Sequence, residues 1–146
     1  MLKCYITIIL AIFCKVSFSQ DCRVFYQVYE EQLLKDKTIL RVAGEAPEIF
    51  EYSRFLMDVV ASLKLEACPF KVYTAFVIEP DSSLSNIFVC SRMMCMNDSC
   101  NEERAKLNFE KDLKTALVKS KLPPVKHQGK VVRYFMVIPA HYECRE

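Results

Sequence analysis

The residues able to do chemistry in this chain of 146 are few, and most of them are cysteines. Cys90, Cys95 and Cys100 form the densest group of metal-capable side chains. A zinc site usually spaces its thiolates as Cys-x2-Cys and adds nearby histidines. Here the steps are five residues long and both histidines, His127 and His141, are distant in sequence, so the group reads as disulfide-bonded. His141 stands three residues before Cys144, the types needed for a thiol and its base. In an exported chain a structural, oxidised cysteine is the stronger reading. The carboxylate pairs Glu30-Glu31 and Glu102-Glu103 are adjacent, so their side chains diverge rather than face each other across a cleft. Serines occur without a nucleophile elbow, and two glycines cannot build a phosphate-cradling loop. These residues point to a non-enzyme with no catalytic group, no metal and no cofactor.

What the cysteines can do depends on the compartment. Residues Met1 to Lys3 carry a positive charge, Cys4 to Phe13 is almost wholly apolar, and Ser17-Phe18-Ser19 sets small residues at the spacing a signal peptidase requires. A leader over residues 1–19 is expected, cleaved before Gln20, because the apolar run is shorter than the roughly 20 residues of a spanning helix. Retention as a membrane anchor is the rival reading. With the leader gone Cys4 and Cys14 leave, and six cysteines remain: Cys22, Cys68, Cys90, Cys95, Cys100 and Cys144. An even count in an exported chain implies disulfides, which persist in the periplasm or outside the cell. Removing Lys3 and Lys15 also changes the balance of 20 basic against 18 acidic residues to 18 against 18. A chain without excess positive charge is a poor match to nucleic acid or an anionic membrane surface.

The elements that must position these residues follow from periodicity. Phe70, Val72, Thr74, Phe76 and Ile78 alternate with Lys71, Tyr73, Ala75 and Val77, a strand pattern. Glu79-Pro80-Asp81-Ser82-Ser83 supplies turn chemistry, and Leu84 to Cys90 resumes the apolar run, giving an antiparallel hairpin. Before it, Tyr52, Phe55, Leu56, Val59, Val60 and Leu63 recur at three- and four-residue steps as one helical stripe, with Pro47 suited to the first turn. After it, Asp98, Ser99 or Asn101 caps a second helix whose apolar face is Phe109, Leu113, Ala116 and Leu117, ended by Pro123 and Pro124. The lysines Lys106, Lys111, Lys114 and Lys119 read as its solvated face. Gly129 then launches a last strand in which Val132, Tyr134, Met136 and Ile138 alternate with Val131, Arg133, Phe135 and Val137. Both faces of that strand are apolar, which fits a central strand or an edge strand awaiting a partner. Cys22 to Tyr29 has strand composition and suggests a terminal strand or extended arm. Glu30 to Lys37 reads as a surface connection or short helix, and Thr38 to Val42 as a short β-like run.

This order of helix, strand, strand, helix, strand, together with Ala46-Pro47-Glu48, FVIEPDSSLSNIFV, Leu122-Pro123-Pro124, HQGKVV and the close on Ile138-Pro139, resembles the C-terminal domain of TonB-like proteins from Bacteroidetes-type bacteria over roughly Gly44 to Pro139. The glycine usual in that family's hairpin turn is missing, the segment before the first strand is shortened to Cys68-Pro69, and the cysteines are atypical. The resemblance implies an α+β fold with two helices on a small antiparallel sheet for a domain 44–146, which follows the leader 1–19 and an N-terminal arm or strand 20–43. It also implies a periplasmic or secreted interaction module that adds a partner peptide or envelope protein to the exposed last strand. Contacts are expected from Lys130, Val132, Arg133, Tyr134 and Met136, with Arg133 and Tyr134 setting selectivity. A homodimer through edge pairing is a further arrangement, and membrane is met only through a partner. Once the leader is removed, the chain is expected to carry neither the transmembrane helix nor the proline-rich spacer of TonB proper. The alternative is a secreted, disulfide-stabilised ligand or inhibitor unrelated to TonB.

Hairpin geometry suggests a disulfide. If Ile78 opposes Leu84, continuing the register puts Cys68 opposite position 94, beside Cys95. Cys68 to Cys95 is therefore the first expectation, with Cys90 as the alternative partner.

Overall fold

A computed structural model of the chain describes residues 22–41 and 49–144, with side chains from Tyr52 onward in the second stretch. The expected leader, Pro47 and the Ala46-Pro47-Glu48 segment lie outside the described residues. The elements are α1 (Cys22–Leu33), β1 (Ile39–Leu40), α2 (Ile49–Ala61), β2 (Cys68–Ile78), β3 (Leu84–Met94), α3 (Glu102–Val118), β4 (Val125–His127) and β5 (Lys130–His141). The sheet order is β1-β5-β2-β3, with β4 paired to the start of β5. The fold is α+β, and the sheet is mixed rather than purely antiparallel because β1 runs parallel to β5.

The two faces of the sheet carry separate cores. On one, Val72, Phe76, Ile78, Val89, Met93, Tyr134, Met136 and Ile138 meet the stripes of α2 (Tyr52, Leu56, Val60) and α3 (Ala105, Phe109, Leu113, Leu117). Phe55, Val59 and Leu63 pack at the rim of this core, half-buried. On the other face Ala75, Val77 and Phe135 lie under Leu33 and Ile39, with Tyr26, Tyr29, Phe88 and Val137 around them. This explains the two-sided apolar pattern of the last strand, since helices cover both faces. It also corrects the reading of Cys22 to Tyr29 as a strand. Cys22, Tyr26, Tyr29 and Leu33 fall at steps of four, three and four, the stripe of a helix, and α1 lays that stripe on the second face.

The turns follow from local chemistry. In the β2–β3 hairpin the Asp81 carboxylate accepts from the Ser83 backbone N–H at 3.0 Å, and Ser82 takes the positive φ of 71° that a glycine would hold more cheaply. Gln128 and Gly129 have φ of 49° and 75° between the paired residues His127 and Lys130, the two positive values of a type I′ hairpin turn. Asn101 caps α3, accepting from the Arg104 N–H at 2.9 Å, and Glu102 and Glu103 lie in the first turn where the helix dipole favours them.

The six cysteines among the described residues all pair: Cys22 with Cys90, Cys68 with Cys144, and Cys95 with Cys100. The expected Cys68–Cys95 bond is not formed. The hairpin register behind it does hold at that end, with Cys68 opposite Met94. A second register decides the bond: continuing the β2–β5 pairing of Lys71 with His141 by three residues sets Cys68 directly across from Cys144. With its sulfurs so bonded, the Cys90, Cys95 and Cys100 group has no thiolate to offer a metal.

Candidate interaction edge

Whether a sheet can accept another strand depends on which backbone groups point outward at its edges, and side-chain contacts reveal the alternation here. The Ser91 N–H in β3 donates to the Glu110 carboxylate of α3 at 2.7 Å, so it faces away from β2. Ser91 opposes Val72, which makes this a non-hydrogen-bonded pair, and the groups of Val72 must turn instead toward β5. Val72 opposes Ala140 in an unbroken register. Counting along β5, Ala140, Ile138, Met136 and Tyr134 bond inward to β2, while Phe135, Val137, Pro139 and His141 direct their backbone outward. Two observations agree with this assignment. Tyr142 N–H donates inward to the Phe70 carbonyl at 3.1 Å, and proline, which has no N–H, sits at an outward position.

The two sheet edges are treated differently. At β3 the Glu110 carboxylate takes both the Ser91 N–H and its hydroxyl, at 2.7 and 3.0 Å, and is itself held by the Lys106 ammonium at 2.6 Å. A charged side chain seated on an edge donor blocks strand addition there. The start of β5 pairs with β4 along Lys130 to Val132, and the outer side of β5, opposite β2, is met by β1 at Arg133 and Tyr134. Among the described residues no strand pairs with the outer side of β5 beyond Tyr134.

β1 is brought to this edge by an ionic clamp. The Arg133 guanidinium binds Glu79 through two bonds, Nε to Oε2 at 2.8 Å and Nη2 to Oε1 at 3.0 Å. Its Nη1 donates to Asp36 Oδ2 and Thr38 Oγ1, both at 2.7 Å. Asp36 also accepts from the Thr38 N–H at 3.0 Å and its hydroxyl at 2.7 Å. These Thr38 bonds first, and Arg133 after them, pull the Asp36 carboxyl from 3.8 down to about 2. Arg133 foremost, with Ser85 assisting against partial burial, holds Glu79 below the ordinary carboxylate range. The two carboxylates in turn raise the Arg133 pKa. Beside the clamp, Arg41 lies 5.5 Å from the centre of the Phe135 ring and pairs with Glu30. Tyr29 stacks on Phe88 at 5.0 Å and donates its hydroxyl to the Asn86 carbonyl, and burial pushes its pKa up.

The residues expected at the edge therefore have distinct positions. Lys130 is exposed at the hairpin with β4, and Val132 is half-buried against the first core. Tyr134 and Met136 are buried there, each 5 % exposed. Arg133 is engaged in the clamp. Of the two residues expected to set selectivity, Arg133 has its side chain in the clamp and Tyr134 has its side chain in the first core. Sequence reading missed Asp36, Thr38 and Glu79 as partners of Arg133, contacts separated by 97, 95 and 54 residues that no local pattern announces. It also missed Glu110, whose i, i+4 relation to Lys106 was the one visible sign of a fixed carboxylate.

No family model, curated protein or solved structure matches the chain. Its functional reading rests on the edge geometry and on the disulfides, which are compatible with an extracellular or periplasmic setting.

Proposed function

We propose that this chain is an exported, disulfide-braced, non-catalytic interaction module that takes up an extended partner segment along the outer edge of β5, in the manner of the TonB C-terminal domains its sequence resembles. The observation that carries the reading is the contrast between the edges: Glu110 occupies the β3 edge, while the outward backbone of β5 continues past the two-residue β1. An added strand gains affinity from backbone bonds and selectivity from alternate side-chain positions. The docking stretch is Phe135 to His141, and Pro139 limits it to partners that do not need a donor at that position.

The test compares two prolines. Val137→Pro removes an outward N–H and leaves the fold nearly intact; Met136→Pro removes a bond to β2 and unfolds the chain. The full-length protein is used to capture partners from envelope or secreted fractions. Capture by the wild type that Val137→Pro abolishes supports strand addition. A second reading, a secreted ligand or inhibitor presenting α1, is favoured by the exposed Val24, Phe25 and Val28 on that helix. Capture indifferent to Val137→Pro selects it.

A further inference from the structure

The turn between β3 and α3 holds a feature that neither the cores nor the β5 edge use. Of the four asparagines in the chain, Asn86, Asn97, Asn101 and Asn108, one stands two residues before a hydroxyl side chain with a non-proline residue between: Asn97-Asp98-Ser99. That spacing is the acceptor pattern for N-linked glycan transfer. All three residues are exposed, at the tip of the small ring closed by Cys95 and Cys100. The Ser99 hydroxyl donates to Asn97 Oδ1 at 2.8 Å, a contact that draws electron density toward the carbonyl and makes the amide N–H protons easier to remove. Asn97 Nδ2, the atom that would be modified, makes no hydrogen bond among the described residues. The turn itself is held by the Cys100 N–H donating to the Asn97 carbonyl at 3.2 Å, a backbone bond that asks for no particular side chain at either position.

Met96 adjoins Asn97 and is 42 % exposed; with Leu65, 43 % exposed, it lines a shallow depression whose other walls include Val60 and Pro69. A sugar chain on Asn97 would lie beside these exposed apolar side chains. The ring follows β3, and the same depression holds Tyr142 and Glu143, so a glycan here would stand near the end of the sheet where β5 closes at His141.

We propose that Asn97 is an N-glycosylation site. In the transfer, Asn97 Nδ2 forms a bond to the anomeric carbon of a glycan carried on a lipid pyrophosphate. The bond from that carbon to the pyrophosphate oxygen breaks, the lipid pyrophosphate departs with the electron pair, and the amide proton passes to a base of the transferase; nothing is oxidised or reduced. The inference is independent of strand addition and holds wherever the chain is exported past such a transferase.

The experiment is secretion of the full chain from cells that N-glycosylate their secreted proteins, with intact mass measured before and after glycoamidase. The expected result is a single glycan increment that the enzyme removes, leaving aspartate at 97. Asn97→Gln and Ser99→Ala each eliminate the increment, and Ser99→Thr, which keeps the hydroxyl, retains it. Unmodified mass in both the wild type and Ser99→Thr, from cells that glycosylate a control protein, overturns the proposal. So does an increment that survives in Ser99→Ala. Using both Asn97→Gln and Ser99→Ala keeps the result decisive if one of them fails to fold.

Discussion

Removing the disulfides one at a time should rank them by the length of chain each closes. In the chain-entropy treatment a crosslink stabilises by restricting the unfolded ensemble, and the effect grows with the logarithm of loop length. Cys22–Cys90 spans a sequence separation of 68, which corresponds to about 4 kcal/mol. Cys68–Cys144, at 76, is worth nearly the same, about 4 kcal/mol. Cys95–Cys100, at 5, is worth about 2 kcal/mol. Position adds to this ranking. Cys22 and Cys90 are 3 % and 5 % exposed, and their bond fixes the start of α1 on the sheet, where only the smaller second core holds the helix. Paired Cys22→Ala/Cys90→Ala replacement therefore combines lost loop restraint with a cavity, whereas Cys95→Ala/Cys100→Ala loosens a surface ring. Guanidinium melts of both double variants against wild type, with disulfide mapping of the bonds that remain, measure the difference. A loss in Cys95→Ala/Cys100→Ala equal to that in Cys22→Ala/Cys90→Ala would refute the reasoning, because loop length and burial would then count for nothing.

Acid should release the clamp. Asp36 and Glu79 both have depressed folded pKa values, so their contribution is complete above the unfolded values and is lost as pH falls through the folded ones, for Asp36 between 3.8 and about 2. Thermal melts from near neutrality into that window should show a steeper fall for wild type than for Arg133→Met, which has already lost the pairing; parallel curves contradict the assignment. In the first core, Phe76 has no exposed surface, so Phe76→Ala should cost about 3 to 5 kcal/mol in a denaturant melt. Phe55→Ala, at the half-buried rim, should cost clearly less, and equal losses would mean that the rim and the core are wrongly distinguished.

Legibility in this sequence followed the range of the interaction. The stripes of α2 and α3 and the alternation in β2 could be read because a single element buries each of them, and neighbours three, four or two residues apart report the burial. The β2–β3 register was legible at both ends, Ile78 with Leu84 and Cys68 with Met94, although irregularities between Ala75 and Val77 and between Pro69 and Lys71 shift the pairing in the middle. The second shift cancels the first, so a straight extrapolation reached the right neighbour. The α1 error had a different origin. CRVFYQVY is rich in β-branched and aromatic residues, and composition outweighed the four-three-four spacing that the helix uses. Tertiary burial of Tyr26 and Tyr29 against Phe88 supplies what helix propensity lacks.

The β5 edge shows why a site can remain hidden when its strand is plain. Alternation along Val131 to Ile138 announces a strand with two buried faces, but it carries no information about which backbone groups point to which edge. That assignment came from Glu110, a residue on another element, through one bond to Ser91 and two successive registers. The same pair of registers shows why Pro139 is tolerated near the end of a strand still paired with β2: its missing donor falls on the side facing away from β2. A proline one position earlier or later would have broken the sheet. The placement of Pro139 therefore supports an outer position for this edge from the sequence itself, once a neighbouring strand has fixed the phase.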